Sequence, residues 1–258
     1  MSELPFLSAF APVIADPRFP FALAVSAVAG LVRGFSGFGS ALIYIPLISA
    51  VYGPHIAAPT LLLFDTICSV PFAIQCWPQS TRREVLPVAF AAALALPVGV
   101  LALLYIDVLI LRWFIAALVL FALVVLITGW RYHGRPTLGA SLGVGAFAGF
   151  GSGAVQIAAP ALLVFWLGGQ NSATTVRANI MVLFAIQGAL AIIAYAFSGL
   201  FGSEVLALAL VIGVPFIVAM TIGARWFKGT SDTLYRRVAY IIIAVAALVS
   251  LPLFDGLR

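Results

Sequence analysis

Two stretches of this chain run without a charged residue for longer than one membrane crossing needs: 34–64 and 136–176. A helix covers the hydrocarbon core with about 20 apolar residues. The remaining uncharged runs, 85–106, 113–130, 178–203, 205–224 and 238–254, each match one crossing. The two long runs must therefore bend or break. Both hold the motif G-x-G-x6-P, as Gly37, Gly39 and Pro46 in the first and as Gly151, Gly153 and Pro160 in the second. The offset at all three positions is 151 − 37 = 114, and it also carries Thr60 onto Thr174 and Asp65 onto Asn179. Paired, glycine- and proline-interrupted apolar segments at matching places in two halves mark the binding site of a repeat-built transporter.

Composition sets the solvent. Hydrophobic residues make up 64% of the 258 positions and charged residues 8%, against about 25% charged in soluble domains. So much apolar surface needs lipid around it. No polar stretch is long enough for a soluble domain, so residues 1–258 read as one all-α polytopic transmembrane domain. The net charge of +5 fits basic residues at cytoplasmic span ends, not a nucleic-acid partner. The N-terminal stretch holds Glu3 and lacks a basic n-region, so it reads as retained rather than as a signal peptide.

The basic clusters orient the spans. They fall at 78–84 (Arg82, Arg83), 131–136 (Arg131, Arg135) and 225–237 (Arg225, Lys228, Arg236, Arg237), whereas the connections at 104–108 and 199–204 carry only Asp107 and Glu204. All three basic loops reach the cytoplasm only if 20–52 and 137–168 each go in and come back. Each is then a helical hairpin with arms of about 15 residues, roughly 22 Å long. Arg112, near an outer end, runs against this layout. Single spans are expected near 55–77, 84–105, 108–130, 172–198, 204–226 and 236–254. The first hairpin opens outward and the second inward. The halves, about 20–130 and 137–254, are thus expected to be inverted repeats of a broken segment plus three spans, about eight hydrophobic segments in all, with hairpin tips meeting near the midplane.

The expected tips are residues 33–40 (RGFSGFGS) and 148–153 (AGFGSG). Glycine permits a sharp turn and close backbone approach. Irregular backbone at membrane depth survives only where protein buries it or where it lines a cavity. After each tip a new helix begins, with unpaired N–H groups and partial positive charge. Two such ends facing each other make an anion site, to which the Ser40 and Ser152 hydroxyls add donors. The competing explanation is that the glycines only let helices pack closely.

Ionisable groups inside a membrane are costly and usually functional. Arg33 stands next to the first tip, Arg177 lies in the span after the second, and arginine suits oxyanions bidentately. Asp65 either pairs with Arg33 or Arg177 to hold the halves together, or carries a proton that couples transport. Asn179 is its counterpart in the repeat. Gln156 lies within the second motif. Gln75 and Gln187, deeper in their helices, read as interhelical contacts. Cys68 and Cys76 are eight residues apart, about 12 Å along a helix and beyond disulfide reach. His55 and His133 fall in expected loops, and no metal or cofactor site is assembled. The absence of an HExxH signature, with only two His, both in expected loops, argues against an intramembrane enzyme.

The duplicated segments Gly37-Phe-Gly39…Pro46 and Gly151-Ser-Gly153…Pro160, the repeat length and the total length resemble the sulfite exporter TauE/SafE family over nearly the whole chain. Members carry further glycines where this chain has Phe38, Ser40 and Ser152. The resemblance implies export of sulfite or an organosulfonate such as sulfoacetate, and a place in the bacterial inner membrane. The expected function is a secondary transporter of a small anion working by alternating access, with an anion channel as the alternative. Arg33, Gly37, Gly39, Ser40, Gly151, Ser152, Gly153, Gln156 and Arg177 are the expected substrate contacts. A monoanion leaving an inside-negative cell gains about 2.3 kcal/mol per 100 mV, so export needs no coupling ion, although a proton on Asp65 would supply one.

Overall fold

The structure is a computed structural model that describes residues 10–36, 38–129, 137–167 and 171–226, with single positions at 241 and 244. The expected span 236–254, the loop 131–136, most of 225–237, His133 and Gly37 lie outside the described residues. Within them the chain is helical: α1 (Phe10–Ala15), α2 (Phe19–Ser36), α3 (Ser40–Tyr52), α4 (Pro54–Cys76), α5 (Arg82–Tyr105), α6 (Val108–Thr128), α7 (Leu138–Val155), α8 (Ala159–Leu167), α9 (Ala173–Phe197) and α10 (Ser203–Trp226). Six of these are long and apolar enough to cross a membrane, and α2 and α3 are shorter apolar helices. The protein is an all-α polytopic membrane protein. His55, expected in a loop, occupies the first turn of α4.

Both long uncharged runs are broken, but not into equal arms. The first has arms of 18 and 13 residues, the second of 18 and 9. Arg18 ties the open end of the first. Its guanidinium donates to the Val51 carbonyl at 3.2 Å and stacks on the Tyr52 ring at 4.4 Å. Its bond to Asp16 holds that carboxyl below the usual range. The start of α2 and the end of α3 are thereby neighbours, as a hairpin requires.

The second break lies further along than the motif implies. Residues 148–153 are helical, inside α7, and the chain leaves the helix at Gln156–Ala158. From helix end to helix end the breaks are 155 − 36 = 119 residues apart, not 114. The reason is close packing. Gly149 and Gly153 lie against the carbonyls of Ala92 and Leu96 on α5, where a methyl group would overlap backbone. Gly30 and Gly34 of α2 meet the carbonyls of Phe216 and Met220 on α10 in the same way. The two pairs of glycines differ by 119 and the carbonyls they meet by 124, because 149 − 30 = 119 and 216 − 92 = 124. The contacts also run in reverse, Gly99 against the Phe150 carbonyl and Gly223 against that of Leu31. In this way α2 packs along α10, and α7 along α5.

Lipid offers helices no hydrophobic reason to associate, so small residues that admit close backbone contact hold such pairs. On α5, Val88, Ala92 and Leu96 turn inward, whereas Leu86, Phe90, Leu94 and Val98 are exposed on the opposite face, where lipid would lie. Gly145 continues the α7 stripe against Val88, but Gly143 faces open space. Gly149→Ala and Gly153→Ala are expected to destabilise the protein by about 1–3 kcal/mol each. Gly143→Ala should be neutral or mildly stabilising, by up to about 1 kcal/mol. Thermal unfolding of the purified variants in detergent checks this, and equal midpoints for all three would disprove the packing role.

Candidate functional site

The breaks meet at a cavity of about 50 Å³. Gly39 and Ser40, where α3 starts, line one side, and Gln156 to Ala159, where α7 ends and α8 starts, line the other. Gly39 takes a left-handed backbone conformation, φ 99°, which glycine adopts at no steric cost. Its counterpart is Gln156, at φ 58°, the only described non-glycine residue with positive φ. Such strain persists where surroundings over-determine it. The Gln156 backbone N–H donates to the Ser152 carbonyl at 3.1 Å, and that of Ile157 to the Gly151 carbonyl at 3.1 Å. The Gln156 amide also donates to the Ser152 carbonyl at 2.8 Å and to the Tyr195 hydroxyl at 3.3 Å. Tyr195 in turn donates to the Gly153 carbonyl at 2.8 Å. These bonds satisfy carbonyls that the end of α7 leaves open.

The cavity lies level with the middle of two helices long enough to cross a membrane, α4 and α9. Asp65 is near the centre of α4 and Gln187 near the centre of α9, and both line it. Gly188 allows the two helices to close here, because a Cβ on it would press into the Thr66 side chain. Arg33, on the last turns of α2, is buried and points across to α4. Its Nη2 meets the Asp65 carboxylate at 3.0 Å and also donates to the Ser69 hydroxyl. Its guanidinium lies 5.6 Å from the Phe184 ring centre. Asp65 accepts further from Ser40 at 3.1 Å and from Ser69 at 3.3 Å. Of the two pairings open to Asp65 in the sequence, the one with Arg33 forms.

The expected site residues thus divide. Arg33, Gly39, Ser40, Asp65, Ser152 and Gln156 come together at the cavity. Gly153 instead packs on Leu96, and Gly151 faces the Ile157 carbonyl within the turn. Arg177 is on the exposed face of α9, four residues into the helix and away from the cavity. Asn179 is buried two residues further on and accepts from the Thr81 N–H at 2.7 Å. Thr81 is the N-cap of α5 and its own side chain makes no capping bond, so Asn179 holds that helix start. Gln187, read from sequence as an interhelical contact, is 2% exposed and lines the cavity, and neither of its amide atoms has a partner among the described residues. A buried polar atom without a partner costs about 1–3 kcal/mol. The pointer in the sequence was a mid-span glutamine followed by glycine.

The family model of the sulfite exporter TauE/SafE matches residues 22–250. The chain belongs to this family. The match spans both broken segments and every helix from α3 to α10, and the family is one of membrane transporters of sulfur anions. No curated protein and no solved structure matches the chain. Among the described residues no group of three or more His, Cys, Asp or Glu could hold a metal, and Cys68 and Cys76 are free thiols.

The ion pair has a measurable energetic signature. Removing one partner of a buried pair leaves the other charge uncompensated, at a cost of about 3–5 kcal/mol, whereas an apolar pair of similar volume is often neutral. Asp65→Leu should therefore lower unfolding stability strongly. The double variant Arg33→Met/Asp65→Leu should recover most of the loss. A double variant that merely sums the two single losses would show that the groups do not act as a pair.

Proposed function

We propose that this TauE/SafE protein is a secondary transporter that exports a small anion, sulfite or an organosulfonate, by alternating access around the mid-depth cavity. The observation that carries the reading is the convergence of two mid-membrane helix starts, α3 at Ser40 and α8 at Ala159, on one cavity. The first N–H groups of each helix have no partner within it and carry partial positive charge. Such ends bind anions. Arg33 and Asp65 are formally neutral together, so the pull on an anion comes from these helix ends and from hydroxyl and amide donors. The volume, about 50 Å³, corresponds to roughly four water-sized groups, a fit for a compact oxyanion.

Asp65 and the substrate compete for Arg33 in this reading. The guanidinium meets the anion only by giving up its carboxylate contact. A proton arriving on Asp65 would release Arg33 to the substrate, which makes Asp65 the coupling group. The two halves run in opposite senses through the bilayer, so that each can open the cavity to one side. The swapped packing of α2 on α10 and of α7 on α5, with fixed offsets, supports this.

Binding of sulfite, sulfate and sulfoacetate to purified variants tests the site. Gly39→Val, which strains the positive φ and fills the turn, should abolish binding. Asp65→Asn should tighten binding roughly tenfold, since a hydrogen bond to a charged group is worth about 1.5–3 kcal/mol, and should remove the pH dependence of transport. Arg33→Gln should weaken binding by 10- to 100-fold on the same scale. Arg177→Gln should bind as wild type. Wild-type affinity in both Gly39→Val and Arg33→Gln would sink the mid-depth site. Orientation is tested separately. Single cysteines introduced at 78–84 and at 228–237 should label from the same side of the membrane, and labelling from opposite sides would rule out the inverted arrangement.

A further inference from the structure

Thr66 of α4 is in close contact with Gly188 of α9, and the residues just before them, Asp65 and Gln187, both line the cavity. The offset of 119 between the packing glycines of α2 and those of α7 takes Arg33 to Ser152, which also lines it. One wall holds a guanidinium and a carboxylate that satisfy each other. The wall from α7 and α9 holds a hydroxyl and a primary amide, both neutral. On the first wall, Ser40, Ser69 and Arg33 occupy both Asp65 oxygens. On the second, Gln187 Nε2 and Oε1 are buried without a partner among the described residues.

We infer that Gln187 contacts the transported anion directly, with Nε2 donating to an anion oxygen and Oε1 accepting from a donor that the anion itself carries. The amide can only accept at Oε1. A bare oxyanion would satisfy Nε2 and set negative charge against Oε1. An oxyanion bearing one O–H satisfies both ends at once. The site therefore selects oxyanions that carry a hydroxyl or a single acidic proton over those that offer acceptors alone. A site built to pair a ligand hydroxyl discriminates strongly against an analogue lacking it, because its own buried polar group is then left unpaired. The inference rests on the cavity being the anion site, and it names a contact and a selectivity that this reading alone does not supply.

The test uses two monoanions that differ by one hydroxyl, methanesulfonate and hydroxymethanesulfonate, titrated against the purified full chain. Wild type should bind the hydroxylated anion about tenfold more tightly. Gln187→Met, of similar length and without polar atoms, should bind both anions more weakly and show no preference. Should that variant not fold, Gln187→Glu keeps the shape, removes the donor and adds repulsion, and should lose at least tenfold in affinity for both. Wild-type affinity and wild-type preference in either variant would overturn the assignment and leave Gln187 a water-bonded structural group. If those variants bind normally while Gly39→Val does not bind, the cavity stands as the anion site and only the role of Gln187 falls. A wild-type protein that binds the two anions equally overturns the selectivity. One that binds neither overturns this inference together with the anion site.

Discussion

In the hydrocarbon core every backbone N–H and C=O must find a partner within the protein, and the rest of this structure follows from how two helices are interrupted there. A break frees carbonyls on the ending helix and N–H groups on the starting one. Behind the second break the freed carbonyls of Gly151 and Ser152 are taken up by Ile157 and Gln156, and Tyr195 reaches in from α9 to the next carbonyl, of Gly153. Ahead of the breaks α3 and α8 start beside the cavity, where the first N–H groups of a helix have few partners within it. The N–H of Leu42 is taken up by the Gly39 carbonyl.

Closing protein around such a cavity needs helices that approach nearly to backbone contact. The glycines on α2, α7, α5 and α10 supply that approach at seven places, each against a carbonyl. The same requirement explains why the duplicated motif misplaces the second turn. Aligning Gly39 with Gly153 matches residues that do different work. Gly39 turns the chain with a positive φ, whereas Gly153 is helical and packs on Leu96, a task that Gly34 performs in the first half. Glycine answers both needs, and a sequence pattern does not separate them.

Legibility followed how far each feature depends on local sequence. The spans from α4 to α6 and α9 to α10 were readable to within about two residues, because lipid requires apolar runs of fixed length and charges end them. The need for two breaks was readable from run length and from the sidedness of arginines. Arg33 and Asp65 stood out as intramembrane charges, and the structure pairs them. What could not be read was partner choice across helices. Asn179 and Arg177 are near neighbours in sequence, yet Asn179 turns inward to hold Thr81 while Arg177 faces out. Gln187 was undervalued for the same reason. Whether a mid-span glutamine is bonded or idle depends on what lies opposite, which only the packing of α4 on α9 decides.

The unequal chemistry of the two walls of the cavity bears on how such a site can work. Were Arg33 repeated at Ser152, two buried guanidiniums would hold an anion tightly, and release would demand breaking both. Were Asp65 repeated at Gln187, the added carboxylate would repel the substrate. With one self-satisfied ion pair and one neutral amide, the cavity carries no net side-chain charge, and a monoanion entering it changes the local charge by a single unit. Differential affinity between states is all a ligand can use to drive a conformational change. In the proposed scheme the one arginine is held by either Asp65 or the substrate, and that difference needs only a small rearrangement: the guanidinium trades one oxyanion partner for another, and a proton on Asp65 keeps the released carboxyl from remaining as an unpaired charge.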